Sequence, residues 1–318
     1  MPIHPKKKND DDSGGILDQA KARLMLVQGQ AGAMGIIEFI RTIVDSFDVE
    51  PFVSQRVLLK TIYGEELDDE ERALIDQWVA EDKCNWRDPE AVLADINMKL
   101  ALDKKPLKKK FNYQKITVQI GMRAAKSSTL ALTAVFEFFK AICHECIQKE
   151  LGLPRSSPLY ITAVASTETQ ALDTIFHYIQ KYITESTFFK ALIESGEILI
   201  REGEIEHVAK GIIIASGHSK ATSFVGRTAL LVLFDELAMF TDENGPTSNA
   251  QEVYSRIGTS TMTAREYGRV IALSSVKCEG DYMETLVRQD WNLQEDGALV
   301  FNLSTFRSEE HTSELQSH

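Results

Sequence analysis

The chain has 318 residues, of which 43% are hydrophobic and 26% charged, a composition that excludes disorder throughout and is typical of a folded globular protein. Lys and Arg total 35 against 47 Asp and Glu, so the net charge of −12 excludes an overall basic surface for nucleic acid or an anionic membrane. No apolar run reaches the roughly 18 residues of a membrane span, and no signal-peptide core follows the basic N-terminus, so we expect a soluble, intracellular protein without membrane contact.

The first 110 residues are predicted to comprise a tail and a helical region. Residues 1–15 are charged, with nothing to bury, which predicts a disordered tail. Residues 16–110 form the helical N-terminal region, where apolar residues recur three and four apart in IIEFIRTIVDSF, PFVSQRVLLKTIY, DDEERALIDQWVAE and DPEAVLADINMKLAL. Asp69 and Asp88 are expected at N-caps, with Pro89 at a first helical position.

From position 115 onward, short apolar strands alternate with helical stretches. The strands are ITVQIG, LYITAVAS, GIIIAS, ALLVLFDE, RVIALSS and ALVFNLS. Near-continuous apolar strands are typical of a sheet covered on both faces, and their alternation with helices favours parallel βαβ units. We therefore expect residues 111–306 to form a three-layer α/β domain with a mostly parallel central sheet. The segment ILIREGEIEHVAKG predicts a hairpin with Glu202 and Gly203 at its turn.

Cysteine spacing does not indicate a disulfide framework or a metal site. The four cysteines are few for a chain of this length, and we expect them to be reduced thiols. Cys143 and Cys146 form a CxxC pair, but a tetrahedral zinc site needs a second pair or spaced histidines. Because the segment continues a helical pattern, we assign no metal to it.

The first predicted strand ends in GMRAAKSS over residues 121–128, and a helix follows at once. In a phosphate loop, backbone N–H groups surround the β-phosphate at a helix N-terminus, a lysine binds the β- and γ-phosphates, and a hydroxyl binds Mg²⁺. Lys126 and Ser127 are suited to the last two roles. The usual spacing GxxxxGK[ST] places glycines where this chain has Ile120 and Ala125, so an ordinary strand-turn-helix junction remains an alternative.

Two adjacent acids, Asp235 and Glu236, follow a strongly apolar strand. Ligands of open parallel sheets bind at the carboxyl ends of strands, and paired acids there are costly unless they serve a cation and a reaction. We predict that Asp235 holds Mg²⁺, directly or through water. Glu236 is predicted to orient and deprotonate the water that attacks the γ-phosphate. A capping role for both acids is the structural alternative.

The strand RVIALSS ends in two hydroxyl residues, Ser274 and Ser275. We expect them to lie beside the two acids at the same edge of the sheet. There they can hydrogen-bond the γ-phosphate or the attacking water, and so respond to the presence of the phosphate. A serine pair after a strand also occurs in ordinary turns.

The segment RSEEHTSELQS, at positions 307–317, resembles the translation of a widely used short-read sequencing adapter. We therefore expect residues 307–318 to be foreign to the natural protein, which would be longer. A longer reading frame in the source DNA that diverges after Phe306 would support this expectation, and an intact gene with these codons would refute it.

The three motifs, in this order, resemble the ATPase domain of the large terminase subunit of tailed bacteriophages, the motor that pumps DNA into the capsid. GMRAAKSS is similar to that family's phosphate loop, LLVLFDELAMF to its Walker B segment, and IALSSVKCEGDYMETL to its coupling motif. SGHSKATSFVGRTALL is similar to the stretch that leads into Walker B. PFVSQRVLLKTIYGEELDDEE is similar to the segment in which a family glutamine helps to recognise adenine, and Gln55 is the matching residue. The resemblance covers about residues 36–306.

The resemblance implies a P-loop NTPase fold and hydrolysis of ATP with Mg²⁺ bound by Ser127 and Asp235. Arg123 matches a loop arginine that acts on the γ-phosphate, and Ser274 and Ser275 match the coupling residues. The phosphate-binding residues implied by the match are Gly121, Met122, Ala124, Ala125, Lys126, Ser127 and Ser128.

The resemblance also implies partners and a location. These are double-stranded DNA, the portal protein and the small terminase subunit, contacted by a homo-oligomeric ring on the capsid in the cytoplasm of a bacterial host. In the family a nuclease domain follows the ATPase, and we expect it to be missing from this chain. A trans-acting arginine is expected, with unranked candidates Arg201, Arg227, Arg256 and Arg265.

Two positions depart from the family pattern: Ala125 replaces the glycine before the lysine, and Val276 replaces a proline of the coupling motif. Ala125 and Ile120 leave a second function open, a nucleotide-binding assembly module that binds ATP without turnover. A helicase-like or other DNA-remodelling P-loop ATPase is a further alternative, although the motifs of a second recombinase-like domain are not found in the sequence.

Overall fold

The structure is a computed structural model that describes residues 33–44, 50–81, 84–85, 88–102, 104, 113–121, 126–218, 226–240, 246–275, 280–291 and 298–303. Several predictions fall outside these ranges. They concern the tail 1–15, the loop residues Met122, Arg123, Ala124 and Ala125, the coupling-motif position Val276, and the segment 307–318.

The described part of the N-terminal region contains the helices α1 (Ile36–Thr42), α2 (Val53–Tyr63), α3 (Asp69–Ala80) and α4 (Pro89–Leu102). The predicted N-cap at Asp69 is wrong by one residue. Asp68 is the cap, because its carboxylate accepts the Glu71 N–H at 3.0 Å while the Glu71 carboxylate accepts the Asp68 N–H at 2.9 Å. Pro89 opens α4 as predicted, after Asp88.

Nine strands among the described residues form one sheet in the order β1-β9-β2-β8-β7-β3-β6-β5-β4. They are β1 (Cys84–Asn85), β2 (Lys115–Ile120), β3 (Leu159–Ala165), β4 (Ile198–Arg201), β5 (Glu204–His207), β6 (Ile212–His218), β7 (Thr228–Asp235), β8 (Arg269–Ser274) and β9 (Ala298–Leu303). The six central strands, from β9 to β6, are mutually parallel, and antiparallel pairs flank them. This confirms the predicted mostly parallel sheet.

Helices cover the sheet and connect its strands. They are α5 (Lys126–Cys143), α6 (Ile147–Glu150), α7 (Glu168–Ala171), α8 (His177–Glu185), α9 (Thr187–Glu194), α10 (Pro246–Gly258) and α11 (Tyr282–Trp291). A π-helical segment (Leu172–Phe176) joins α7 to α8, and 3-10 helices span Leu237–Met239 and Thr259–Tyr267.

Two hydrophobic cores lie on the two faces of the sheet, and strand β7 contributes to both. Leu231 and Leu233 join the larger core with α1, α2, α5 and α8, whereas Val232 and Phe234 join the smaller core with α10 and α11. Successive side chains of a strand point to opposite faces, so a strand between two cores must be apolar at every position. The three-layer arrangement predicted from the continuous apolar runs is confirmed.

The predicted hairpin is present, with Arg201 of β4 paired to Glu204 of β5. Gly203 in its turn has a φ of +71°, a conformation that glycine adopts without the steric cost of a Cβ. Cys143 ends α5, and Cys146 precedes α6. Within the described ranges no three His, Cys, Asp or Glu side chains are grouped to hold a metal ion, and no helix is long and apolar enough to cross a membrane.

Candidate active site

Three adjacent parallel strands bring the predicted motifs to one edge of the sheet. Strand β8 lies between β2 and β7, and all three run in the same direction. Their ends therefore meet at the edge where parallel strands finish, which we call the carboxyl edge. Gly121 follows β2, Ser275 follows β8, and Asp235 ends β7. Crevices at this edge are the usual ligand sites of open α/β sheets.

Lys126 is the first residue of α5, and its ammonium group is enclosed at the carboxyl edge. Its side chain is 7% exposed, and Nζ lies 2.9 Å from Oε1 of Glu236. Nζ also donates to the carbonyl oxygen of Gly121 at 3.3 Å. The N-terminus of a helix is itself positive, so this position favours an anion. Glu236 supplies that negative charge in the present structure.

Ser127 and Asp235, 108 positions apart in sequence, are in direct contact. The Ser127 hydroxyl donates to Oδ2 of Asp235 at 2.7 Å. The other carboxylate oxygen, Oδ1, is buried and has no hydrogen-bond partner among the described residues. Burial raises the pKa of Asp235 to about 6, the charge of Glu236 acts in the same direction, and the Ser127 hydrogen bond opposes the shift. A hydroxyl beside a carboxylate with an unsatisfied oxygen fits the ligand preference of Mg²⁺.

Glu236 turns away from the end of β7 in a left-handed conformation, with φ 53° and ψ 49°. Its N–H still pairs with the carbonyl of Leu273 at 2.9 Å, so the turn begins at the end of the ladder. A residue other than glycine pays roughly 1–2 kcal/mol for this conformation. The turn directs the carboxylate toward Lys126 and the end of β8.

The hydrogen bonds of Glu236 keep its carboxylate ionised. Its Oε2 accepts the Ser275 N–H at 3.1 Å and the Ser275 hydroxyl at 3.0 Å. Burial alone would raise the pKa of Glu236, but the hydrogen bond and charge of Lys126, together with the Ser275 donors, outweigh burial and lower it. The adjacent acids therefore differ: Glu236 is a stabilised anion, and Asp235 is an anion that its own chain stabilises poorly.

Ser274 and Ser275 contact Glu236 directly. The Ser274 hydroxyl lies 3.3 Å from Oε2 of Glu236 and 2.9 Å from the Ser275 carbonyl, and its single proton serves one of them at a time. It also accepts the N–H of Ala238 at 3.1 Å. The predicted contacts of these serines with the γ-phosphate or the attacking water stay predictions. The serines lie beside the acid Glu236 at the edge of the sheet, as the sequence predicted.

Gln55 lies beside the first turn of α5. Its Oε1 accepts the N–H of Phe52 at 3.1 Å, and its Nε2 donates to the Thr129 hydroxyl at 3.2 Å. Gln55 is therefore held near the helix that begins at Lys126, while its role in adenine recognition stays a prediction. Sequence reasoning missed Thr129, which helical spacing places three residues after Lys126.

The four arginines considered as trans-acting candidates lie in other parts of the fold. Arg201 pairs with Glu206 at 2.7 Å on the hairpin, and Arg256 pairs with Glu252 at 2.8 Å on α10. The Arg227 guanidinium lies 4.4 Å from the centroid of the Tyr160 ring, and Arg265 precedes β8 with a φ of +50°. These contacts do not involve Lys126, Asp235 or Glu236.

The comparisons with known proteins match this chain to a P-loop family. The family described as "Uncharacterized protein MJ0330, N-terminal P-loop domain" matches residues 83–310. No curated protein matches the chain. The family match confirms a P-loop domain of the kind that the motifs predict.

Solved structures similar to this chain include large terminases, the family that the sequence resembles. The HK97 bacteriophage large terminase is 14% identical, with 68% of this chain and 39% of that chain covered and a TM-score of 0.42. The large terminase of a thermophilic bacteriophage is 12% identical, with coverages of 71% and 49% and a TM-score of 0.36. The same thermophilic-phage protein in complex with ADP is 11% identical, with coverages of 69% and 46% and a TM-score of 0.34. The chain thus spans less than half the length of each of these proteins.

Proposed function

This chain belongs to the P-loop family described by the N-terminal domain of MJ0330, and we propose from this premise that it hydrolyses ATP with Mg²⁺. The observation that carries the proposal is the meeting of four chemical groups at the carboxyl edge. The Lys126 ammonium lies 2.9 Å from Glu236, and the Ser127 hydroxyl lies 2.7 Å from Asp235. These are the cation, hydroxyl and two carboxylates that phosphoryl transfer to water requires.

A bound nucleotide would replace contacts that now join side chains of the site to one another. Lys126 would bind the β- and γ-phosphates in place of Glu236, because the phosphates carry more negative charge than one carboxylate and lie at the positive end of α5. Ser127 and Asp235 would hold Mg²⁺, which neutralises charge on the phosphate oxygens. The proposal extends to the loop residues 122–125, with Arg123 on the γ-phosphate.

Glu236 would act as the base once Lys126 has left it. Its Oε2 would stay held by Ser275, while Oε1 would be free to accept a proton. The water oxygen forms a bond to the γ-phosphorus, the bond to the β,γ-bridging oxygen breaks, and Glu236 receives the proton that the water loses. ADP and inorganic phosphate are the products.

The proposal includes coupling to movement of double-stranded DNA into a viral capsid. The motif order of large terminases supports it, and so does the contact of Glu236 with Ser274 and Ser275. Loss of the γ-phosphate would change the partners of Glu236, and this change would pass to the segment after β8. A homo-oligomeric ring at the portal protein, the small terminase subunit as partner and the bacterial cytoplasm as location belong to the same proposal.

The test of ATP hydrolysis compares the full chain with its Glu236→Gln variant. Glutamine keeps the size of the side chain and can still accept from Ser275, so ATP affinity should stay within a few-fold of wild type. Phosphate release should fall by about 10²–10⁴-fold, the usual contribution of a general base. Calorimetric titration measures the first quantity, and a phosphate-release assay measures the second. Glu204→Gln on the hairpin is the control, and equal turnover of Glu236→Gln and wild type would refute the proposed base.

The same two assays separate the proposal from a nucleotide-binding module without turnover, which Ala125 favours. Binding of ATP by wild type with no phosphate release would support the module. An Ala125→Gly variant that then releases phosphate would identify the alanine as the cause. Stimulation of turnover by double-stranded DNA without strand separation would favour translocation over a helicase-like activity.

A further inference from the structure

Helix α8 lies beside α5. Helix α5 follows β2 and α8 follows β3, two strands that run in the same direction, and both helices return over the same core, so they also run in the same direction. Near the start of α5, the side chain of Tyr182 of α8 is hydrogen-bonded to Ser128. Burial raises the pKa of Tyr182 to about 12, and the hydrogen bond with Ser128 acts in the opposite direction. Near the end of α5, Phe139 packs against Phe188, which follows α8 in the chain, with ring centroids 5.5 Å apart. Residues earlier in α8 therefore lie further toward the carboxyl edge.

Tyr178 is such a residue, one helical turn (about 5 Å) before Tyr182. Its ring is stacked on the Tyr182 ring, with centroids 6.4 Å apart and planes inclined by 28°. Tyr182 is 6% exposed, whereas Tyr178 is 39% exposed. The buried ring of Tyr182 thus supports the accessible ring of Tyr178, and both lie beside the N-terminal end of α5, which carries Lys126.

The first turn of α5 indicates where a nucleotide base would extend. Ser127 faces Asp235, and each further residue is rotated by about 100° around the helix. Ser128 and Thr129 therefore point away from β7, and they contact Tyr182 and Gln55 respectively. If the γ-phosphate and Mg²⁺ lie on the Asp235 side, the sugar and base must leave on the side that α2 and α8 border.

We propose that Tyr178 is a nucleotide-binding residue that stacks on the base of the bound nucleotide, opposite the side that carries Gln55. This inference rests on the proposed ATP-binding function and adds a base contact to it. Aromatic rings stack on the faces of purines, and the exposed phenol ring of Tyr178 is held in position by Tyr182.

The test compares Mg²⁺-ATP with Mg²⁺-tripolyphosphate, which has the phosphates but no base, by calorimetric titration of the full chain. Tyr178→Ala should weaken ATP binding about 10-fold, the usual scale of one base–aromatic contact, and leave tripolyphosphate binding within two-fold of wild type. Tyr178→Phe should bind ATP as wild type does, because it keeps the ring. Tyr178→Leu should behave as Tyr178→Ala, because it keeps apolar volume without a ring.

A second measurement uses Tyr178→Trp as a fluorescent reporter in the same chain. Its emission should change when ATP is added and stay constant when tripolyphosphate is added. Equal ATP affinity for wild type and Tyr178→Ala would overturn the inference while leaving the ATPase proposal intact, and equal losses for ATP and tripolyphosphate would overturn it as well. Failure of wild type to bind ATP would instead overturn the proposed function, and this inference with it.

Discussion

Two buried acids, Glu137 in the interior of α5 and Asp235 at the carboxyl edge, have different surroundings. Glu137, in the interior of α5, lies 2.8 Å from Lys140 and 3.5 Å from Arg269. Asp235, at the carboxyl edge, accepts one hydrogen bond from Ser127, has an acid as its neighbour in sequence, and keeps one oxygen unsatisfied among the described groups.

The pKa values follow this difference. Burial alone would raise the pKa of Glu137, but Lys140 and Arg269 outweigh burial and lower it, whereas the pKa of Asp235 rises to about 6. A buried acid that holds a fold together is neutralised by its own chain, and a buried acid that serves a ligand is left incompletely neutralised. Substitutions at the structural acid and at the site therefore have different expected effects.

Removing the cation of the site should have the largest effect. Lys126→Ala is expected to weaken Mg²⁺-ATP binding by roughly 100-fold or more, because a buried ammonium at a helix N-terminus is lost. Calorimetric titration measures the change. Lys140→Ala, which removes a cation from the Glu137 cluster, is the matched control and should lower stability without changing ATP affinity. Equal ATP affinity for Lys126→Ala and wild type would contradict the assignment of the phosphate site.

Removing the acid of the structural cluster should cost about 3 kcal/mol of unfolding free energy. Glu137→Leu leaves Arg269 near Tyr63 without the carboxylate that it faces. Urea unfolding measures the loss, and Glu137→Gln, which keeps the shape and a hydrogen-bonding oxygen, should lose less. An unchanged urea midpoint for both variants would show that this acid is not needed for stability.

Removing the charge of Asp235 should stabilise the protein when no Mg²⁺ is present. The folded-state pKa, about 6, lies above the ordinary 3.8, so the folded state binds more protons between these values and stability falls as pH rises through this window. Asp235→Asn should therefore be about 2 kcal/mol more stable than wild type at pH 8, and the difference should vanish near pH 4. Thermal or urea unfolding across pH measures it.

Two controls belong to the Asp235→Asn experiment. Mg²⁺ should stabilise wild type more than the variant, because Asp235 is a proposed ligand of the ion. Asp290→Asn, which weakens the ion pair of a buried acid with Lys115, should destabilise the protein instead. A variant that is less stable than wild type at pH 8 would contradict the account of Asp235.

The smallest effect is expected for Ser275→Ala. Glu236 loses one hydroxyl donor but keeps the N–H of residue 275, so kcat should fall about 10-fold while ATP affinity stays unchanged. Steady-state kinetics separate the two quantities, and Ser260→Ala on the 3-10 helix is the control. A change confined to KM would show that Ser275 acts on binding rather than on the base.

Much of the site could be predicted because its residues stand directly after apolar strands. Parallel strands finish at one edge, so Gly121, Asp235 and Ser275 had to be near one another once the strands were recognised. The apolar runs also predicted the two-sided sheet, since only a strand between two cores is apolar at every position.

The remaining features depend on local backbone geometry or on long-range contacts that periodicity does not contain. The left-handed turn at Glu236 decides that its carboxylate meets Ser275, and an acid after a strand does not predict such a turn. The N-cap prediction at Asp69 missed the capping-box spacing, because Asp68, not Asp69, stands three residues before Glu71. In the sequence Glu137 is a single polar residue on an apolar helix, and its contact with Arg269 forms only in the folded chain.

The most direct test is a crystal structure of the full chain with Mg²⁺ and a non-hydrolysable ATP analogue. We predict a β- or γ-phosphate oxygen about 3 Å from Nζ of Lys126, the cation on the Ser127 hydroxyl beside Asp235, and Glu236 separated from Lys126 but still bonded to Ser275. A nucleotide bound away from the carboxyl edge, with the ion pair between Lys126 and Glu236 intact, would contradict the account.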